Sequence, residues 1–188
     1  MNANFVLQDR FLERFFAGPL SGHFYLTGGT ALARFYFHHR ESLDLDLFTN
    51  DSGQDFARVN QAVLGIYHAL ELHITSQVVT DTYIQYIVAD QIGVSLKVDL
   101  VKDVPVHFGE IGVKDGVRLD SLNNIGSNKV LAIFGRTDAK DFIDLYWILH
   151  NIEKILLFPR MLQPLPWEDM KVFFQALARA LLERIKPN

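Results

Sequence analysis

The chain has 188 residues, of which 49% are hydrophobic and 21% charged, a composition typical of packed globular proteins and not of disordered ones. It contains no cysteine, which excludes disulfide scaffolds, thiol catalysis and cysteine-based zinc sites. A net charge of −4 argues against tight, non-specific binding of nucleic acid through a large basic face.

The start of the chain predicts a helix and no export signal. Apolar residues at near-helical spacing indicate a helix over residues 3–17, which Gly18-Pro19 would end. Charged residues are mixed into this segment, unlike in a signal peptide, and no run of about 18 apolar residues occurs in the chain. We therefore expect a cytoplasmic protein that does not enter a membrane.

Helices and strands then alternate before a run of strands. In chain order we predict a strand at 24–26, a helix opening at Gly28, a strand at 43–48, a helix at 53–70 and strands at 72–79, 82–89 and 93–101. Turn residues separate the last three strands, so they are predicted to form a meander.

The end of the chain is predicted to be helical. Ser121 would cap a helix that runs to Phe134 and ends at Gly135. Asp138 would cap another, whose apolar positions are Phe142, Leu145, Tyr146 and Leu149. A final helix at 167–186 follows three prolines. The order of elements favours an α+β core at residues 1–118 and a helical region at 119–188 packed on it. A single domain that contains both parts is the alternative.

The segment Leu43-Asp44-Leu45-Asp46-Leu47 alternates strictly. In a strand, both aspartates point to one face and all three leucines enter the core. Carboxylates ~6.5 Å apart repel by roughly 2–3 kcal/mol at an effective dielectric of about 20. A divalent cation removes this cost, and carboxylate oxygens are ligands that Mg²⁺ prefers. A solvated sheet face, where water screens the pair, is the alternative.

Gly28-Gly29-Thr30 lies between a predicted strand and a predicted helix. Glycine permits positive φ and close approach of the backbone, and the first turn of a helix offers free N–H groups to a phosphate. A plain strand-to-helix turn capped by a hydroxyl would have the same residues. The turn therefore indicates a phosphate site only together with other features.

A third carboxylate is expected near the first two. In the run 93–101, apolar residues at even positions point to the core and leave Lys97 and Asp99 on the opposite face. Thirteen residues separate Thr30 from Asp44, enough for one helix and a return into an adjacent strand. The glycine turn and the aspartates would then meet at one edge of the sheet, with Asp99 as a third metal ligand or general base. The alternative for Asp99 is an ordinary exposed strand position.

These segments together resemble a known family. Residues 24–32 (FYLTGGTAL) and 39–48 (HRESLDLDLF) are similar to the signature of the AbiEii/AbiGii toxin family, within the polymerase-beta-like nucleotidyltransferase superfamily. Residues 129–132 (KVLA), Arg136 and residues 140–145 (KDFIDL) resemble the later lysine, arginine and Asp-x-x-Asp motifs of that family. The resemblance implies a nucleotidyltransferase-like mixed β-sheet with flanking helices and a C-terminal helical extension.

The resemblance also implies roles for the matching residues. The residues that would hold phosphate or nucleotide are Gly28, Gly29, Thr30, Arg40, Ser42 and Arg136. The catalytic residues would be Asp44, Asp46, Asp99, Lys129, Asp141 and Asp144. The first three of these would bind one or two Mg²⁺ ions, and Lys129 would meet phosphate charge. A nucleoside triphosphate would be the donor, a tRNA or protein hydroxyl the acceptor, and an antitoxin encoded nearby the partner.

The later motifs also have a structural explanation. Asp138, Asp141 and Asp144 share one helix face, and capping with the helix dipole would account for the first two but not for Asp144. Lys129 and Arg136 lie two helical turns apart and would otherwise form surface ion pairs with these acids, each of little energetic value.

Other functions remain open at this point. A catalytically silent nucleotide-binding module would use the same fold, although it has no reason to keep three like charges together. A phosphohydrolase with Asp44 as nucleophile and Asp46 as acid needs a small hydroxyl residue soon after the pair, and Thr49 comes late. A metal-dependent glycosyltransferase also uses paired aspartates.

Overall fold

The computed structural model describes residues 2–135 and 138–151, together with Val172 and Ala176. In chain order the elements are α1 (Ala3–Ala17), β1 (Tyr25–Thr27), α2 (Gly28–Thr30) continued by a π-helical segment (Ala31–Tyr36), β2 (Asp44–Thr49), α3 (Phe56–Ala69), β3 (His73–Val79), β4 (Tyr83–Ala89), β5 (Ser95–Lys102), β6 (Gly112–Lys114), β7 (Val117–Leu119), α4 (Leu122–Gly135) and α5 (Ala139–Asn151). The fold is of the α+β class with a mixed sheet, as predicted.

The seven strands form one sheet in the order β3-β4-β5-β2-β1-β7-β6. The strands β3, β4 and β5 form the predicted antiparallel meander. Strand β2 lies in the middle of the sheet, parallel to β5 and antiparallel to β1. Because β2 and β5 run side by side in the same direction, Asp44 lies opposite Lys97 and Asp46 lies opposite Asp99.

The apolar face of the sheet packs against helices α1 and α3. Strand alternation buries Leu45 and Leu47 of β2 and, on β5, Leu96, Val98 and Leu100. The prediction that Leu43 also enters the core is wrong, because its side chain is 45% exposed. Strand β2 begins only at Asp44, so Leu43 precedes the segment that the neighbouring strands hold in place.

The two predicted helix caps are confirmed. The hydroxyl of Ser121 accepts a hydrogen bond from the backbone N–H of Asn124 at 3.0 Å. The carboxylate of Asp138 accepts one from the backbone N–H of Lys140 at 3.1 Å. Both side chains satisfy N–H groups that the first turn of a helix leaves without a partner.

Two features differ from the prediction. Strands β6 and β7 form a hairpin that the sequence pattern did not predict. Its turn contains Asp115 and Gly116, both with positive φ. Each strand has only three residues, too few for a periodic signal. In α5, Tyr146 is 52% exposed and not inward, because the buried face of the helix contains Asp141 and Asp144 beside Leu145 and Ile148.

Helices α4 and α5 pack on the same core as the sheet. Ile125 of α4 and Leu145 of α5 belong to the apolar cluster that includes the residues of β2 and β5. Strand β7 spans the predicted division at residues 118/119, and that division stays a prediction. The predicted helix at 167–186 lies outside the described residues, except for Val172 and Ala176, which are helical. Among the helices that the structure describes, none is both long and apolar enough to cross a membrane.

Candidate active site

A cavity of about 370 Å³ opens where the polar face of the sheet meets helices α4 and α5. Most of the residues predicted to form the site contribute to its wall. Among the described residues, the charged lining consists of Arg40, Asp44, Asp46, Lys97, Asp99, Asp103, Lys129, Lys140 and Asp141. Gly28, Gly29 and Ser42 also line it, whereas Thr30 and Asp144 are not part of the lining. Arg136 lies outside the described residues.

The strands β2 and β5 form an acidic wall. Asp46 and Asp99 lie opposite each other on adjacent strands, and Asp44 points to the same face two residues before Asp46. Burial, followed by the negative charge of Asp99, raises the pKa of Asp46 to about 6. The predicted convergence of the three aspartates on one face is therefore present, and the crowding of their charges is unfavourable without a cation.

Lys97 supplies positive charge within this wall. Its Nζ lies 2.8 Å from Oδ2 of Asp99 and 3.9 Å from Oδ2 of Asp44. Within the described part of the chain, no three acidic or histidine side chains are drawn together closely enough to enclose a metal ion. The three carboxylates fit Mg²⁺ in donor type and in sharing one face, and the ammonium of Lys97 now balances part of their charge.

The glycine turn brings both signs of charge close to the backbone. Gly28 has φ of +68°, and a Cβ atom there would lie 2.6 Å from Oδ2 of Asp46. A Cβ atom on Gly29 would overlap the guanidinium of Arg40 and lie 3.0 Å from Oγ of Ser42. A side chain at either position would displace the charged end of Asp46 or Arg40, and at Gly28 the positive φ also favours glycine.

Thr30 joins this turn to the acidic strand. Its side chain is fully buried, and its hydroxyl donates a hydrogen bond to the backbone carbonyl of Asp44 and lies 2.9 Å from Oγ of Ser42. The side chain of Thr30 thus fixes the start of β2 relative to the glycine turn, while the hydroxyl of Ser42 lines the cavity.

A buried ionic network forms the opposite wall. Asp144 is fully buried and accepts hydrogen bonds from Nε and Nη2 of Arg40, both at 2.7 Å. Nζ of Lys129 lies 2.7 Å from Oδ2 of Asp144 and 2.7 Å from Oδ1 of Asp141. Nε2 of His39 lies 2.8 Å from Oδ1 of Asp144. Asp144 therefore orients the cations that face the cavity, and it does not line the cavity itself.

The electrostatics of the network follow from this arrangement. Burial of Asp144 acts to raise its pKa, but the hydrogen bonds and charges of Arg40 and Lys129 outweigh burial, so the pKa is lowered. The alternative of a surface network is wrong for Lys129, which is only 7% exposed. Asp141 lies in the first turn of α5, as the capping alternative requires, but its carboxylate is also fully buried against Lys129.

Helix α4 is held in place by Asp120, a buried residue that the sequence analysis did not identify. Its carboxylate accepts hydrogen bonds from the hydroxyl of Thr27 at 2.5 Å and the side-chain amide of Asn124 at 3.1 Å, and lies 2.9 Å from Nε2 of His107. Burial raises the pKa of Asp120, partly offset by these hydrogen bonds. The contacts join the end of β1 to the first turn of α4, the helix that also carries Lys129.

Two other residues at the site were assigned no role from sequence. Lys97 was placed on the face of Asp99, but its ion pair with Asp44 depends on the pairing of β2 with β5. The side chain of His39 is fully buried, with Nε2 on Asp144, and among the residues that the structure describes Nδ1 has no hydrogen-bond partner. Its position directly before Arg40 was the available signal, because the irregular segment that brings Arg40 to Asp144 also brings its neighbour close.

Comparison with known protein families identified one match. The model of one protein family, described as nucleotidyl transferase AbiEii toxin of a type IV toxin–antitoxin system, matches residues 10–181. A search of curated proteins gave no match.

Solved structures show the same fold at low sequence identity. A candidate nucleotidyltransferase from H. pylori has a TM-score of 0.64 and 20% identity, with coverage of 98% of this chain and 97% of the other. JHP933 from Helicobacter pylori has a TM-score of 0.62 and 20% identity, with coverage of 95% of this chain and 91% of the other. MenT4, a nucleotidyltransferase toxin from Mycobacterium tuberculosis, has a TM-score of 0.52 and 19% identity, with coverage of 78% of this chain and 57% of the other.

Proposed function

This chain belongs to the AbiEii family of nucleotidyltransferase toxins, and we propose that it transfers a nucleoside monophosphate from a nucleoside triphosphate to a hydroxyl group of an RNA or a protein in the presence of Mg²⁺. The observation that carries the proposal is the separation of charge in one cavity. Carboxylates of β2 and β5 form one wall, Arg40 and Lys129 with their partners Asp144 and Asp141 form the other, and the glycine turn lies between them.

The cationic wall suits a triphosphate. Arg40 and Lys129 are already oriented by Asp144, so little side-chain entropy is lost when they bind phosphate oxygens. The N–H groups of the glycine turn have no side-chain cap, and the hydroxyl of Ser42 is close to Gly29. We propose that these groups bind the phosphates, and that Asp141 holds Lys129 for the same purpose.

The acidic wall suits the reacting end of the nucleotide. In this proposal Asp44, Asp46 and Asp99 hold Mg²⁺, which when bound neutralises phosphate charge and polarises the phosphoryl oxygens. An acceptor hydroxyl oxygen forms a bond to the α-phosphorus, the bond from that phosphorus to the bridging oxygen breaks, and pyrophosphate leaves with the bonding electrons. The proton of the hydroxyl passes to a carboxylate oxygen of Asp99.

The biological setting is proposed from the family. Its description names a type IV toxin–antitoxin system, so we propose that the chain acts as a toxin with an antitoxin as its partner. Nucleoside triphosphates are the donors and a tRNA or a protein the acceptor. The reaction is placed in the cytoplasm, where both are present.

A labelling experiment tests the proposal. The purified protein is incubated with Mg²⁺, total RNA or cell lysate, and each nucleoside triphosphate labelled at either the α- or the γ-phosphate. We expect a macromolecule to acquire the α-label and not the γ-label, because the monophosphate is transferred and the γ-phosphate leaves in pyrophosphate. A γ-label on the product would indicate phosphoryl transfer instead.

The control variants assign the label to this site. Asp44→Ala combined with Asp46→Ala should lower labelling at least ~100-fold, because metal ligands contribute several kcal/mol to the transition state. Asp81→Ala removes an exposed carboxylate in the turn between β3 and β4 and should label like the wild type. Labelling that persists in the double variant would falsify the mechanism. Nucleotide binding in calorimetry without any labelling would instead identify a silent nucleotide-binding module.

A further inference from the structure

Lys97 connects two of the proposed metal ligands. It lies on β5 directly opposite Asp44 of β2, and its side chain extends along the sheet to Asp99. Its Nζ is 2.8 Å from Oδ2 of Asp99 and 3.9 Å from Oδ2 of Asp44. An ammonium group among these carboxylates occupies the electrostatic role that a divalent cation would have.

The second oxygen of Asp99 is also engaged. The hydroxyl of Tyr83 donates a hydrogen bond to Oδ1 of Asp99 at 3.2 Å, and the amide of Gln85 donates one to the hydroxyl of Tyr83 at 2.6 Å. Asp99 is thus held on both oxygens by neighbouring side chains. A metal ion that takes Oδ2 as a ligand must first separate this oxygen from Lys97.

We propose that Lys97 is a tethered cation that holds Asp99 and Asp44 while no nucleotide is bound and is displaced when a metal–nucleotide complex enters. This inference rests on the proposed function and assigns Lys97 as a positioning residue. Its consequence is that metal binding depends on the nucleotide. A free metal ion must displace the ammonium without compensation, whereas a triphosphate supplies further oxygen ligands and an anionic partner for the displaced ammonium.

The surroundings of Lys97 permit this displacement. Its side chain is 33% exposed and lines the cavity, so its terminal atoms have space to move away from Asp99 without rearrangement of the sheet. Lys129, by contrast, is buried between Asp141 and Asp144. Of the two lysines, Lys97 is therefore the one suited to exchange partners.

Titration with Mn²⁺, a paramagnetic substitute for Mg²⁺, tests the inference without measuring activity. The signal of free Mn²⁺ in electron paramagnetic resonance gives the affinity for wild type, Lys97→Met and Lys97→Gln. Without nucleotide, we expect both variants to bind Mn²⁺ about tenfold more tightly than wild type, a size typical of coupling between two ligands. With a non-hydrolysable nucleoside triphosphate analogue, the difference should fall to about threefold or less.

Two further variants locate the effect. Arg58→Met removes the same charge from a side chain that is 90% exposed on α3, and it should leave the Mn²⁺ affinity unchanged. Adding Asp99→Asn to Lys97→Met should abolish the gain, because the freed ligand is lost. Circular dichroism confirms that each variant is folded.

The outcomes separate this inference from the proposed function. Equal Mn²⁺ affinity of wild type and both Lys97 variants without nucleotide would overturn the role of Lys97. If Mn²⁺ then still binds with the analogue in an Asp46-dependent manner, the proposed function stands. Loss of Mn²⁺ binding in the Lys97 variants would also overturn the inference, because Lys97 would then support the metal and not compete with it. If no protein binds Mn²⁺ even with the analogue, both proposals are wrong.

Discussion

At the scale of single residues, two positions without a side chain, Gly28 and Gly29, determine how the site is assembled. The turn was interpreted from sequence as a place where a phosphate approaches the backbone. The structure shows that Asp46 and Arg40 already use the space beside Gly28 and Gly29. The turn therefore positions the opposite walls of the cavity relative to each other, in addition to the N–H groups that it offers.

Substitution of Gly28 tests this role. Gly28→Ala should lower the free energy of unfolding by about 1–3 kcal/mol, because alanine is strained at positive φ and its Cβ would collide with Asp46. Nucleotidyl transfer should be lost as Asp46 is displaced. Urea unfolding and the labelling assay measure the two effects.

Gly65→Ala on α3 is the matched control, because a Cβ atom there meets no atom within 4 Å. It should stabilise the protein by about 0.5–1 kcal/mol through helix propensity. A stability of Gly28→Ala equal to that of the wild type would contradict the steric explanation.

The raised pKa of Asp46 predicts how stability depends on pH in the metal-free protein. The folded-state pKa of about 6 lies above the ordinary aspartate value of 3.8, so the folded state retains the proton more strongly than the unfolded state. The contribution of Asp46 to stability should therefore fall as the pH rises from about 4 to about 6, and stay lower above that range.

Asp46→Asn removes this loss because its side chain is neutral at every pH. With a chelator present, the variant should exceed the wild type in stability by about 1–2 kcal/mol at pH 7.5, and match it near pH 4. Thermal unfolding across this range is the measurement. An equal pH dependence of the two proteins would show that Asp46 is not the responsible group.

At the scale of elements, helix α5 differs most from its interpretation as an amphipathic helix. Its buried face combines Asp141 and Asp144 with Leu145 and Ile148, while Tyr146 and Trp147 are partly exposed. Hydrophobic periodicity assigns aspartates to the solvent side, since a buried carboxylate is costly unless it is paired. Here the pairs come from α4 and from the segment before β2, which periodicity within α5 does not reveal.

Removal of the charge of Asp144 should disrupt this network. Asp144→Asn leaves Arg40 and Lys129 with one carboxylate fewer, and we expect the free energy of unfolding to fall by about 3–5 kcal/mol. In the folded variant the KM for the nucleotide should rise more than kcat falls, because Arg40 and Lys129 lose their orientation while the acidic wall is unchanged. Urea unfolding and transfer kinetics are the measurements.

Asp138→Asn is the control on the same helix. Asparagine caps a helix as well as aspartate does, and Asp138 is not part of the buried network, so stability should change by less than about 0.5 kcal/mol. An Asp144→Asn protein as stable as this control would show that the network contributes little.

At the scale of the whole molecule, the net charge of −4 conceals an uneven distribution of charge around the cavity. Strands β2 and β5 contribute three carboxylates and one lysine, whereas Arg40 and Lys129 on the other side are balanced by Asp141 and Asp144. Both sets reach the same cavity because β2 lies between β1 and β5. This placement puts the glycine turn that follows β1 next to the acidic strand. A complex of a divalent cation with a triphosphate has the complementary distribution of charge.

The sequence by itself determined the order and type of most elements, the shared face of Asp44, Asp46 and Asp99, and the family. These depend on local periodicity, capping and motif spacing, which neighbouring residues along the chain express. Only the tertiary structure decided that Lys97 joins Asp99 to Asp44 and that Arg40 pairs with Asp144, 104 residues away. Strand register and helix docking set these contacts, and they arise from packing of the whole core, which no local pattern contains.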